Sequence, residues 1–130
     1  MMHRGGANFF LELLLGSGTP AEFYVAALRS RPGYEADGDD LDEPDGGGYE
    51  RVEVPNVSAN FTSASDGTVR NEIEILFSTA TASWGTIRHW ALTDSPTGGV
   101  LFVSGRVTTR SVREGRTLSI PPQNMTIKAR

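Results

Sequence analysis

Hydrophobic and polar positions alternate along several short stretches of the chain. The richest is Arg70–Gly105, RNEIEILFSTATASWGTIRHWALTDSPTGGVLFVSG. In Asn71–Phe77, Ile73, Ile75 and Phe77 alternate with Glu72, Glu74 and Leu76, the period of a strand with one buried face. Trp84–Asp94 is rich in β-branched and aromatic residues. Its alternation is imperfect, with Ile87, His89 and Ala91 opposite Trp84, Arg88, Trp90 and Leu92. Either both faces are covered or a bulge shifts the register. Ser95-Pro96-Thr97-Gly98-Gly99 is a turn signal, and Val100–Ser104 is a short apolar strand that should pair antiparallel with the one before it.

The flanking chain adds further strands. Phe23–Arg29 reads as one. Tyr49–Pro55 alternates cleanly, with Tyr49, Arg51, Glu53 and Pro55 opposite Val52 and Val54. Asn56–Val69 reads as a polar connection. Arg106–Val112, Thr117–Ile120 and Met125–Ala129 complete about eight short strands, the spacing of a sandwich or barrel. Phe9–Leu15, FFLELLL, is the one helical candidate, with Asn8 as cap and Gly16 as stop. It is apolar almost all round and must be buried in the domain or against a partner. A secretory signal peptide is the rival reading, opposed by Glu12 in mid-run. The expected fold is all-β, a single antiparallel β-sandwich, jelly-roll-like or Ig-like, with a short N-terminal helix. Residues 1–6 form a flexible tail, and residues 7–130 form one domain carrying an acidic loop at 33–48.

Composition narrows the function. At 130 residues the chain can bury a core without metal or disulfide staples. It has no cysteine, which removes thiolate chemistry. A net charge of −4 argues against a broad nucleic-acid footprint. No apolar run approaches the ~20 residues of a membrane-spanning helix. Nucleic acid and membrane are therefore not expected partners.

Candidate chemistry is sparse. Ser30–Gly48 holds Asp37, Asp39, Asp40, Asp42, Glu43 and Asp45. Asp37, Asp39 and Asp42 are weak calcium candidates, but the position where an EF-hand loop needs glutamate holds Gly48. The simpler expectation is a solvated acidic loop. His3 lies in the tail, and His89 reads as a structural histidine, hydrogen-bonded in or beside the core. A triad of His89, Asp94 and a serine lacks the accompanying nucleophile elbow. Gly16-Ser17-Gly18-Thr19 lacks the P-loop lysine. No catalytic residue and no cofactor are expected. Arg106, Arg110, Arg113 and Arg116 gather near one hairpin, either as solvated edge charges or as a docking patch for an acidic partner.

The order of segments carries a resemblance. An apolar N-terminal segment precedes FYVAALRSRPG, then an acidic loop runs into GGGYERVEV. The central stretch follows, and REGRTLSIPPQNMTIKA closes the chain. This order resembles small β-sandwich virion proteins of tailed bacteriophages, of head decoration or cement type or of tail-fibre or minor-tail type. The resemblance spans about residues 8–129. It implies a non-enzymatic virion protein made in the host cytoplasm, present in many copies and homo-oligomeric, with the major capsid protein or tail proteins as partners. A capsid decoration or cement protein on the outside of the head is the first expectation, because the sequence reads as one module without shaft or coiled coil. A minor-tail, tail-tip or tail-fibre component is the alternative. A carbohydrate-binding sandwich, with Trp84, Trp90, Tyr34 or Tyr49 stacking on sugars, is a third. Partner contacts are expected from Phe9, Phe10, Leu13 and Leu14 and from the four arginines.

Overall fold

The computed structural model describes residues 22–55, 60–61 and 68–128. The expected helix over Phe9–Leu15 and the N-terminal tail lie outside the described residues. Within them the chain is all-β, with eight strands and one 3-10 turn at Gly38–Asp40. The strands are β1 (Glu22–Leu28), β2 (Val52–Pro55), β3 (Thr68–Arg70), β4 (Ile75–Thr79), β5 (Gly85–Thr93), β6 (Leu101–Val112), β7 (Thr117–Ile120) and β8 (Thr126–Lys128). They form a four-stranded sheet in the order β2-β1-β5-β6 and two two-stranded ladders, β3-β8 and β4-β7. Every pairing is antiparallel.

Consecutive burial along β1 shows how the large sheet is used. Val25, Ala26, Ala27 and Leu28 are all buried. Val25 and Ala27 face the main core, which joins Val54, Ile75, Phe77, Trp84, Trp90, Leu118 and Met125. Ala26 and Leu28 face the other way, into a smaller cluster with Ala91 and Leu101, packed against Ala36 and Leu41. Successive strand residues point to opposite faces, so a strand buried at every position must be covered twice. The second cover is the acidic segment between β1 and β2. The imperfect alternation of β5 has both suggested causes, since its two faces are covered and its pairing with β6 shifts between Ile87 and His89.

Several boundaries differ from the sequence reading. The strand expected over Asn71–Phe77 begins only at Ile75. Asn71 is instead fully buried as a polar hub. Its Nδ2 donates to the carbonyls of Ile73 (2.8 Å) and Pro121 (3.0 Å), and its Oδ1 accepts from the Met125 amide (2.9 Å). A side chain that satisfies three backbone groups replaces a sheet ladder there. Residues 68 and 69, read as the end of a polar connection, form β3 with Arg70 and pair with β8. Val100–Ser104 and Arg106–Val112 are one continuous strand through Gly105. The Trp90 indole lies so close to Gly105 that a Cβ there would stand 2.6 Å from it. Glycine therefore lets the large ring pack flat against its cross-strand neighbour.

Candidate functional site

Arg51 organises the surface side of the molecule. The alternation of Tyr49–Pro55 sets it on the face away from Val52 and Val54, yet it is buried, with only 7% of its surface exposed. Regular strand begins at Val52, which leaves Arg51 free to turn under the acidic segment. Its Nε and Nη2 grip the Glu43 carboxylate at 3.0 and 2.7 Å. Nη2 also donates to the Gly38 carbonyl (2.9 Å). Nη1 reaches Thr93 Oγ1 (3.1 Å) and the carbonyls of Ser95 (2.9 Å) and Gly98 (2.8 Å). One planar fork thus ties the acidic segment, β2 and the β5–β6 turn together, a geometry that a point-charge lysine cannot match.

The same carboxylate accepts from the Tyr49 hydroxyl at 2.5 Å, and that hydroxyl accepts from the Ala27 amide at 3.0 Å. Burial, then the Glu43 charge, push the Tyr49 phenol far above its ordinary value of 10.0. The folded state therefore keeps a proton that the unfolded chain releases above about pH 10. Stability is present below that pH and falls as pH rises through it, by about 1.4 kcal/mol per pH unit. Denaturant titrations at stepped alkaline pH should show this slope, and Tyr49→Phe should abolish it.

The acidic segment is a solvated loop, its aspartates exposed, that also serves as scaffold. Asp37 caps the 3-10 turn and its Oδ1 also accepts from the Leu101 amide (3.0 Å). Asp42 takes Arg29 Nε (3.2 Å) and Ser30 Oγ (3.0 Å). Gly38 donates to the Gly99 carbonyl at 2.9 Å, and a Cβ on Gly38 would stand 1.9 Å from the Gly98 oxygen. Only glycine allows so close an approach of two backbones. Asp37 and Asp42 thus already serve protein donors, and Asp39 lies beside Gly98, where a Cβ would be 2.5 Å from its Oδ1. Among the described residues no group of three or more His, Asp or Glu is placed to hold a metal ion.

The remaining candidates fall as follows. Trp84 and Trp90 are both buried at 1% exposure and offer no face to a sugar. Trp84 donates to the Gly47 carbonyl (2.8 Å) and meets Tyr49 edge-on. Tyr49 is partly buried against Glu43, whereas Tyr34 is 51% exposed. His89 departs from the expected hydrogen-bonded histidine, since its buried Nδ1 has no partner. Asp94 is spent on the Val100 amide (2.8 Å), so no relay from it to His89 is assembled. Phe9, Phe10, Leu13 and Leu14 lie outside the described residues.

The four arginines are brought together on exposed positions of β6 and the turn into β7. Arg106 and Arg110 line a groove between β6 and β7 with Leu118, Ile120 and Asn124. Arg110, Arg113 and Arg116 line its continuation toward the turn. In the four-stranded sheet β6 is the terminal strand, and its last five residues, Thr108–Val112, alternate little in burial, all but Val112 being exposed. The result is a cationic, solvated edge suited to an acidic surface and poorly suited to edge-to-edge aggregation.

Residues 7–128 match the family model described as Podophage GP4 fiber I protein gp80. The chain belongs to that family. The fiber I assignment makes it a virion protein of a tailed phage and bears out the resemblance noted in the order of its segments. Between the two placements that resemblance allowed, a fibre family favours the tail over head decoration. No curated protein matches this fiber I family chain.

Proposed function

We propose that the protein is a non-catalytic structural subunit of the phage tail-fibre apparatus, assembled in several copies and held to an acidic neighbouring tail protein by the β6–β7 arginine edge. The family match over residues 7–128 carries this reading. The build of the described residues supports it. Their buried polar groups serve the backbone, as Arg51 and Asn71 do, while the cationic groups Arg110, Arg113 and Arg116 stay exposed. Charge complementarity of this kind sets partner choice and register in an assembly. A single domain over residues 7–130 remains part of the proposal.

Immunogold labelling of purified phage tests the placement. Gold should decorate the tail, and gold on the capsid would restore the head-decoration reading. Combined Arg110→Glu, Arg113→Glu and Arg116→Glu should lower incorporation into particles by at least about tenfold with an unchanged melting curve, because exposed charges contribute little to folding. Normal incorporation of that variant would remove the hairpin as the docking surface.

A further inference from the structure

The four-stranded sheet ends in two strands of opposite charge. In the order β2-β1-β5-β6, β2 pairs only with β1 and β6 only with β5 among the described residues. β2 reads VEVP and β6 reads LFVSGRVTTRSV. The charged residue of β2 is therefore Glu53, and those of β6 are Arg106 and Arg110. All three are exposed, and none forms an ion pair among the described residues. A chain of net charge −4 thus leaves unmatched arginines on one terminal strand and an unmatched glutamate on the other.

Register shows how the two edges fit. Glu53 pairs with Tyr24, between Phe23 and Val25 of the core face, so it lies on the outer face. Arg106 pairs with His89, and His89 with Leu28 of the outer cluster, which puts Arg106 on the same outer face. One residue along each strand, Val52 and Val107 turn toward the core and are only partly buried. In an antiparallel pair a step forward on one strand is a step back on the other, and opposed residues share a face. The register that sets Arg106 against Glu53 of another copy therefore also sets Val107 against Val52. One alignment matches charge on the outer face and buries both valines on the inner one. The Pro55 carbonyl already accepts from Asn60 Nδ2 (2.9 Å), so the joint falls on Val52–Val54.

Strand direction agrees. All three pairings in this sheet are antiparallel, so its two terminal strands run in opposite directions. Two copies side by side in the same orientation bring β6 of one antiparallel to β2 of the next. Like edges do not suit one another. Two β6 strands would gather arginines with no carboxylate on either strand, and two β2 strands would gather glutamates with no cation. Charge alone would fit any acidic protein, whereas the matched valine singles out this chain. We propose that β6 of one copy adds to β2 of a second copy, head to tail, with Arg106 opposite Glu53 and Val107 opposite Val52. This rests on reading the arginine edge as a docking surface and names its partner. A contact between unlike surfaces repeats from copy to copy into a ring or a filament.

The full-length chain has no cysteine, so introduced thiols report on this joint alone. Val52→Cys mixed with Val107→Cys should give disulfide-linked heterodimers under mild oxidation, while each variant alone stays uncrosslinked. Homodimers of Val107→Cys would show β6 against β6 and overturn the proposal. In analytical ultracentrifugation, Arg106→Glu and Glu53→Arg should each weaken self-association at least about tenfold, with unchanged melting of the dilute chain. The chain carrying both substitutions should regain association, because the pair is reversed rather than lost. A wild type still monomeric at about 1 mM, the weak end of specific affinity, overturns the proposal. So does wild-type association of Glu53→Arg beside loss in Arg106→Glu, which would point to a different acidic partner. A monomeric chain found on the tail by immunogold removes this joint and leaves the fibre reading standing. A chain that joins through these strands but labels the capsid does the reverse.

Discussion

Arg51→Ala should destabilise the folded chain by about 3–5 kcal/mol, measured by urea denaturation at neutral pH. That range is typical when one partner of a buried ion pair is removed and the other stays behind. Here the loss goes further than Glu43, because the carbonyls of Gly38, Ser95 and Gly98 and the Thr93 hydroxyl also lose a donor. Arg51→Lys should recover only a small part of the stability, since an ammonium group cannot span the carboxylate and the β5–β6 turn together. Amide exchange should locate the damage in residues 36–43 and 94–101. If Arg51→Ala melts like the wild type, the acidic segment is held by its apolar underside alone. The Ala36 and Leu41 packing would then be the whole of its anchorage.

Asn71→Ala should cost about 2–4 kcal/mol in the same measurement, since it leaves the Ile73 carbonyl and the buried Met125 amide without the side chain's bonds and takes from the Pro121 carbonyl one of two donors, the other being the Asn124 amide. Asn71→Asp supplies a sharper contrast. Its oxygen can still accept from the Met125 amide, but the carbonyls of Ile73 and Pro121 would face a second acceptor instead of a donor. Burial among acceptors raises the pKa of the introduced carboxyl. A raised folded-state pKa means that protonation favours the folded form, so stability of Asn71→Asp should rise as pH falls below neutrality. If Asn71→Asp instead has the same stability at every pH as Asn71→Ala, the side-chain bonds to the carbonyls contribute nothing.

These two residues also mark where sequence reading stops. β-branched and apolar content between turn signals places the strands at Glu22–Leu28, Gly85–Thr93 and Thr117–Ile120 to within about one residue, although the first two are covered on both faces and do not alternate. Period-two alternation, the trace of one buried face, is the guide for the stretches around Tyr49–Pro55 and Asn71–Phe77. The same rule puts Arg51 on the face away from the core and Asn71 inside a strand. Both errors have one cause. A buried polar residue is defined by partners far along the chain, and those partners leave no periodic signal near it. Arg51 meets Gly98 and Thr93, and Asn71 meets Pro121 and Met125. The one available hint was a lone arginine three residues after a glycine run beside a cluster of acids, which is consistent with a buried pair but does not identify it. The candidate site was more legible. The arginines Arg106, Arg110, Arg113 and Arg116 were visible as a cluster, and the fold sets the first two on β6 and the others in the turn into β7. The acidic edge on β2 was not visible, because only the pairing of distant segments decides which strands end a sheet.

By itself the sequence determined the all-β character, the β5–β6 hairpin and the virion family, since these depend on local alternation, turn residues and the order of segments. Tertiary structure decided that the acidic segment covers a second sheet face, that Arg51 and Asn71 are buried, and which strands end the four-stranded sheet. Those outcomes depend on hydrogen bonds and packing between residues dozens of positions apart, whose free energy exists only once the chain has closed on itself.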